Sequence, residues 1–188
     1  MDKNSLKDIA HKMVADGKGI LAADESTGTI KKRFDTIALV STEDSRSNYR
    51  EMLFRSDEAL QSAISGVILY DETIRQKAAD GTTLVSLIEQ AGSIPGIKVD
   101  TGAKDMAGHP NEKVTEGLDG LRVRLEEYFE LGARFAKWRA VINIGDGIPS
   151  RGCISANTHA LARYAALCQE NGIVPIVEPE VIMDGSHT

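Results

Sequence analysis

The chain has 188 residues, 41% of them hydrophobic, which is enough to form the core of a single domain. Its formal net charge of -6 argues against nucleic acid or an anionic membrane as a partner, because phosphates attract an excess of Lys and Arg. Two cysteines are too few for a disulfide framework, and no apolar run approaches the roughly 18 residues that a membrane span needs. These properties predict a cytoplasmic protein.

Short apolar runs recur along the chain, most of them beginning beside Gly or Pro. They predict five buried strands, at 19–23, 66–70, 96–100, 134–142 and 173–177. Segments of helical period lie between them, at 53–64, 83–90, 118–131 and 156–170. Gly132 and Gly172 are placed to end the last two helices. Strand and helix in alternation predict right-handed βαβ units, a parallel sheet and an α/β fold.

The last predicted strand has no helix after it in the sequence. A parallel strand normally has helices over its exposed faces. Five parallel strands could form an open sheet, whereas a closed parallel barrel needs eight. If the fold is a barrel, we therefore expect that part of it is missing from this chain.

Ionisable residues interrupt the predicted strands, often two positions apart, so that their side chains point to the same side. These residues are Lys98 and Asp100, Lys137 and Arg139, and Glu178 and Glu180, while Asp24 and Glu25 close the first strand. Charged groups are seldom buried without partners, so three such pairs indicate a site where the strands lie side by side. The positive and negative charges of this set nearly cancel. A structural network of ion pairs would explain that balance too and is the alternative.

Lys137 has a second cation, Arg139, on the same side of its strand. A lysine attacks a carbonyl only as the neutral amine, which a neighbouring cation or a dry pocket favours. Residue chemistry alone therefore names Lys137 as the residue that forms an imine with a ketone. Glu178, Glu180 or Asp24 would then serve as acid and base.

Other chemistries have less support in the sequence. The four histidines are scattered without metal-ligand spacing, so we predict no metal, and no serine lies in a G-x-S-x-G motif. Residues 17–22 match the pattern G-x-G-x-x-A of dinucleotide sites. In such sites the glycines follow a strand and open a helix, whereas here they precede and begin the strand.

The segment GKGILAADEST at residues 17–27 resembles the first-strand signature of class I fructose-1,6-bisphosphate aldolase. The similarity continues through 96–100, 117–121, 135–139 and 171–180, and so covers nearly the whole chain in order. It implies a (β/α)8 TIM barrel, of which residues 1–188 would be the N-terminal part of a single domain with about the first five strands. It also implies reversible cleavage of a phosphorylated sugar, fructose 1,6-bisphosphate, into dihydroxyacetone phosphate and glyceraldehyde 3-phosphate. The reaction would run through a lysine imine and need no metal or other cofactor.

The resemblance also assigns expected roles to matching residues. Asp24 would handle the proton of the hydroxyl at the cleaved bond, and Glu178 would be the acid and base of imine formation and breakdown. Glu180 and Lys137 would support proton transfer and charge balance. The residues expected near substrate phosphate or hydroxyls are Lys98, Arg139, Arg33, Arg46, Ser26 and Thr29, the last standing where the family has a serine.

The imine-forming lysine of the family lies on the sixth strand, in a Leu-Leu-Lys-Pro motif that this sequence does not contain. The resemblance therefore makes Lys137 a supporting residue, and it predicts a chain that ends before the nucleophile and is inactive alone. It also implies a homotetramer for the full-length protein. A non-catalytic binding or assembly fragment, and a related lysine-dependent lyase acting on another phosphosugar, are the alternatives.

Overall fold

The computed structural model describes residues 3–188, so residues 1 and 2 of the predicted domain lie outside the described part. The strands are β1 (Gly19–Ala23), β2 (Ile64–Leu69), β3 (Ile94–Lys98), β4 (Gly102–Asp105), β5 (Lys113–Glu116), β6 (Phe135–Ile142) and β7 (Val174–Val181). The helices are α1 (Lys3–Met13), α2 (Thr27–Asp35), α3 (Glu43–Phe54), α4 (Asp57–Ala63), α5 (Asp71–Arg75), α6 (Leu84–Gln90), α7 (Leu121–Glu130) and α8 (Arg151–Glu170).

Five strands form one parallel sheet in the order β1-β2-β3-β6-β7, and β4 pairs with β5 in a separate antiparallel hairpin. Neighbours in the parallel sheet follow one another along the chain, without the reversal of strand order that defines doubly wound folds. The sheet curls into half of a barrel. The predicted α/β fold with a partial TIM barrel is therefore confirmed.

The two faces of the sheet are both apolar, as alternation along buried strands requires. Val67, Leu69 and Trp138 belong to the large core that includes residues of the helices. The smaller cluster combines Ile68 and Phe135 with Met13 of α1. The first helix therefore helps to cover the concave face of the half-barrel.

The ring of Phe135, on β6, fits against the concave face because the next two strands of the sheet, β3 and β2, have glycine beneath it. A Cβ atom built on Gly96 would lie 2.3 Å from Cζ of Phe135, and one on Gly66 would lie 2.9 Å from Cε1. Distances this short are far inside van der Waals contact. The two glycines therefore form the seat for a fully buried aromatic ring.

The free edge of the sheet at β7 has a specific pattern of prolines. Val174 N–H donates to Arg134 O and Ile182 N–H donates to Ile142 O, so the even-numbered residues of β7 direct their backbone groups toward β6. Pro175 and Pro179 are odd-numbered, so the donors that they lack would have faced outward. Within residues 3–188, this edge has no paired strand.

One predicted helix needs correction, and several elements were not predicted. The segment 53–64 is not one helix: α3 begins at Glu43, where Thr42 and Ser45 form a capping box, and α4 begins only at Asp57. The hairpin of β4 and β5 was not predicted, because its short, largely polar strands carry no apolar run. Gly132 and Gly172 follow α7 and α8 closely with φ of 107° and 73°, which confirms their predicted place at helix ends.

In the described part of the chain, every helix is too short or too polar to cross a membrane.

Candidate active site

The concave face becomes charged toward the carboxyl ends of the strands. On β6, the buried Phe135 is followed at the same side by Lys137 and Arg139. Lys98 lies beside Lys137 in the sheet, and Arg139 lies beside Glu178. The carboxyl ends of the strands are where α/β barrels carry their active sites.

Lys137 lies at the centre of a partly buried group of charges. Its Nζ donates a hydrogen bond to Oδ2 of Asp24 at 2.9 Å and lies 3.9 Å from Oε2 of Glu178. The side chains of Lys137 and Asp24 are only 13% and 11% exposed. Lys137 thus lies between two carboxyl groups in a partly buried position, an arrangement suited to balancing charge.

Glu178 and Glu180 lie two residues apart on β7, but their protonation behaviour differs. Burial raises the pKa of Glu178; Lys137 opposes this shift, and the neighbouring Glu180 adds to it. The hydrogen bond from Arg139 lowers the pKa of Glu180. One carboxyl is thus biased toward holding a proton and the other toward releasing it, which is the usual division between an acid and a permanent anion in enzyme sites.

Lys98 lies at the end of β3, where its Nζ is 3.4 Å from Oδ1 of Asp100. Asp100 is buried and also ties the local backbone together. It accepts hydrogen bonds from Gly102 N–H at 3.0 Å and from Arg139 N–H at 3.4 Å. The Asp100 carboxylate therefore connects the segment after β3 to the middle of β6.

Three of the residues predicted to bind substrate lie after β1. Ser26 caps α2, with its Oγ accepting from Thr29 N–H at 3.3 Å and lying 3.1 Å from Thr29 Oγ1. Arg33 lies further along α2, is exposed, and forms an ion pair with Glu25. These two hydroxyls and the guanidinium all follow Asp24, which lies directly after β1.

Arg46, also predicted to bind substrate, is paired with Glu72 in the structure. It lies on α3, its side chain is 11% exposed, and its Nε donates to Oε2 of Glu72 at 2.9 Å. Glu72 also accepts from Arg50, whose side chain is completely buried. Sequence reasoning missed both Arg50 and Glu72, because α3 had not been predicted and neither residue interrupts an apolar run.

Within residues 3–188, we find no group of three or more His, Cys, Asp or Glu residues that could hold a metal ion.

Comparison with known proteins gives a consistent result. The family model described as fructose-bisphosphate aldolase class-I matches residues 5–188. The probable fructose-bisphosphate aldolase class 1 of Xanthomonas campestris pv. campestris is 63% identical over 187 residues, which are 100% of this chain and 56% of that protein. The cytosolic fructose-bisphosphate aldolase 6 of Arabidopsis thaliana is 56% identical over 91% of this chain and 48% of its own length.

A solved structure agrees with the sequence comparisons. The fructose-bisphosphate aldolase of Plasmodium falciparum, crystallised in complex with TRAP and a small-molecule inhibitor, superposes with a TM-score of 0.95 at 49% identity. The match covers 98% of this chain and 54% of that one. The chain thus spans about half the length of the relatives that it matches.

Proposed function

The chain belongs to the class I fructose-bisphosphate aldolase family, and from this premise we propose that it supplies the acid–base and anion-binding part of an aldolase site. In the complete protein, this site would reversibly cleave fructose 1,6-bisphosphate into dihydroxyacetone phosphate and glyceraldehyde 3-phosphate. The bond would break through an imine between a lysine and the substrate ketone. The names of the relatives support this choice of reaction.

The observation that carries the proposal is the contact of Lys137 with two carboxylates of unlike surroundings. Asp24 accepts a hydrogen bond from Lys137 Nζ at 2.9 Å, whereas Glu178 stands 3.9 Å from the same atom and has a raised pKa. Imine chemistry needs a proton donor for the departing hydroxyl and a separate base for the substrate hydroxyl. This cluster offers one group for each task.

We assign the donor role to Glu178. When an amine has added to the ketone, a carboxyl whose pKa is raised can protonate the departing hydroxyl and recover that proton in the reverse step. Asp24 would accept the proton of the hydroxyl at the cleaved bond while the bonding electrons move toward the cationic imine. Lys137 would keep both carboxylates in place and balance their charge.

The remaining residues have binding roles in the proposal. Lys98 and Arg139 lie on the strand ends beside Lys137 and Glu178, where cations attract a phosphate or orient a hydroxyl. Ser26, Thr29 and Arg33 offer two hydroxyls and a guanidinium after β1. Glu180 would hold Arg139 through their ion pair, and Arg46 stays a predicted contact that would first have to leave Glu72.

The proposal takes the imine-forming lysine to be outside these 188 residues, since the sequence contains no Leu-Leu-Lys-Pro motif. Borohydride reduction of the 188-residue chain with dihydroxyacetone phosphate should therefore trap no adduct by mass spectrometry. The complete protein, treated in parallel, should gain one adduct per subunit. An adduct on Lys137 would contradict the supporting role given to that residue.

Substrate choice is tested by assaying the complete protein with fructose 1,6-bisphosphate, fructose 1-phosphate and tagatose 1,6-bisphosphate. We expect the highest kcat/KM with fructose 1,6-bisphosphate and no loss of activity in EDTA. Asp24→Asn should lower kcat by about 100-fold or more, as loss of a general base does, while the exposed Asp57→Asn should not. Preference for another phosphosugar would point to the related lyase instead.

The proposal extends to assembly and location. We propose a cytoplasmic protein, in keeping with the cytosolic relative from Arabidopsis thaliana, and a homotetramer in its complete form. Light scattering of the purified complete protein measures the second point directly.

A further inference from the structure

Arg50 is a fully buried cation with two partners that are far apart in sequence. Its Nη2 donates to the backbone carbonyl of Glu25 at 2.9 Å, and its Nη1 donates to Oε2 of Glu72 at 2.8 Å. The planar guanidinium can bind two acceptors at once in a fixed geometry, which a lysine ammonium does not reproduce. Arg50 therefore connects α3 both to α5 and to the segment after β1.

The carbonyl that Arg50 binds belongs to the residue directly after Asp24. Glu25 lies beyond Ala23, the last residue of β1 that pairs with β2, so the hydrogen bonds of this strand pair do not hold its backbone. The Asp24 carboxylate in turn accepts the hydrogen bond from Lys137. A continuous series of contacts thus leads from Glu72 through Arg50 and the backbone of Glu25 to Asp24 and Lys137.

The far end of this series is well anchored. Glu72 lies on α5, directly after β2, which is paired on both sides, and its carboxylate also accepts from Nε of Arg46 at 2.9 Å. The hydrogen bond from Arg46 lowers the pKa of Glu72, against the effect of burial, so Glu72 remains an anion over the physiological range. Two arginines on adjacent turns of α3 therefore share one permanently charged partner.

We propose that Arg50 is a positioning residue, which fixes the backbone at Glu25 and thereby holds the Asp24 carboxylate in contact with Lys137. The inference rests on the proposed function in one respect: that the carboxylate so placed accepts a proton from substrate. A purely stabilising role for Arg50 is the competing explanation. The two differ in whether the geometry at Asp24 changes in a variant that still folds.

The first test is structural and needs no activity. In a crystal structure of the complete protein carrying Arg50→Lys, we expect the Asp24 Oδ2 to Lys137 Nζ distance to increase from 2.9 Å to beyond hydrogen-bond range. The matched control is Arg55→Lys, on the exposed arginine just after the same helix, which pairs with Glu51 and Asp80. In the control the distance should stay the same. An unchanged distance in Arg50→Lys would overturn the proposal.

The second test is kinetic. A displacement of about 1 Å in a catalytic group costs about 100-fold in rate, so Arg50→Lys should lower kcat by about 10–100-fold. The KM for fructose 1,6-bisphosphate should change by less than about 3-fold, because the proton transfer, not the binding of phosphate, is impaired. A normal kcat per folded molecule would contradict positioning, and so would a kcat that falls only as much as the folded fraction.

A second variant keeps the inference testable if Arg50→Lys does not fold. Glu72→Gln retains Arg50 and a neutral acceptor, and so weakens the anchor without deleting the bond to Glu25. It should show a smaller reduction in kcat and a longer Asp24 Oδ2 to Lys137 Nζ distance than the unmodified protein. An unaltered distance and kcat in this variant would count against the proposal. If the unmodified complete protein does not cleave the bisphosphate, the proposed function fails, and the crystal structures still decide the role of Arg50.

Discussion

At the scale of single residues, Glu178 and Glu180 demonstrate that position on a strand and protonation are separate properties. Their spacing of two predicts that both side chains face the same side, and the contacts of Glu178 with Lys137 and of Glu180 with Arg139 confirm this. The opposite directions of their pKa shifts could not be predicted. They depend on which carboxyl Arg139 contacts and how deeply the other is buried, and both follow from the folded geometry.

The pKa shifts predict opposite dependences of stability on pH. The pKa of Glu178 is raised above its ordinary 4.5, so this group costs stability as the pH rises from 4.5 through its folded value. The pKa of Glu180 is lowered from 4.5, so its contribution is complete above 4.5 and is lost as the pH falls through its folded value. Urea unfolding at a series of pH values should therefore show that the unfolding free energy of the unmodified protein falls as the pH rises above 4.5. Glu178→Gln should remove the part of this fall that Glu178 causes.

Glu180→Gln is the matched control for that measurement. It should remove an increase in unfolding free energy that develops as the pH rises toward 4.5. Above that pH, the difference in unfolding free energy between this variant and the unmodified protein should stay constant. If both variants followed the same pH profile, the two carboxyls would not differ as their contacts indicate.

At the scale of secondary structure, the strands of the parallel sheet were the most predictable part. Runs such as Gly66–Leu69 are apolar on both faces, and only a buried strand or helix explains them. The start of α3 and the β4–β5 hairpin were missed because their sequences are polar. Capping at Thr42 defines the helix start, and pairing with a partner strand defines the hairpin; neither leaves a hydrophobic period.

The glycine seat beneath Phe135 makes a prediction about core packing. Gly96→Ala would place a methyl group 2.3 Å from the Phe135 ring, so the ring or the strand has to move. Overpacking of this kind costs about 1–3 kcal/mol of unfolding free energy. The loss of unfolding free energy in Gly96→Ala is measured by equilibrium denaturation.

Two further variants separate this steric effect from a general effect of replacing glycine with alanine. Adding Phe135→Leu to Gly96→Ala should recover part of the loss, since the smaller side chain vacates the position of the new methyl group. Gly28→Ala, in α2 with no atom within 4 Å of the new Cβ, should cause no loss. Equal destabilisation at both glycines would disprove the steric explanation.

At the scale of the whole molecule, sequence alternation led to the parallel sheet, and the resemblance led to the partial barrel. The charges that converge at the strand ends were also predictable, because Lys98 lies beside Lys137 and Glu178 lies beside Arg139 on neighbouring strands. The link from Glu72 through Arg50 to Glu25 was not predictable from the sequence. It joins segments that are 22 and 25 residues apart through contacts that no local pattern contains.

The two cysteines provide a probe of global opening. Both are buried; burial raises the pKa of Cys153 and raises that of Cys168 to about 12, so neither forms a reactive thiolate near neutral pH. An aromatic disulfide reagent should therefore modify Cys168 in the native protein only at the rate of unfolding. Ser155→Cys, on the exposed side of the same helix, should react at once. Fast reaction of Cys168 itself would mean that the core opens locally.

The prolines of β7 determine what the free edge of the sheet can accept. With Pro175 and Pro179 facing outward, the N–H donors along this edge are those of Val177 and Val181, about 13 Å apart at the usual rise per residue. Two copies of β7 laid against each other would both lack the same donors, and many of their carbonyls would stay unpaired. The edge therefore disfavours self-association into continuous sheets, and it selects for a neighbouring strand that supplies most of the hydrogen-bond donors itself.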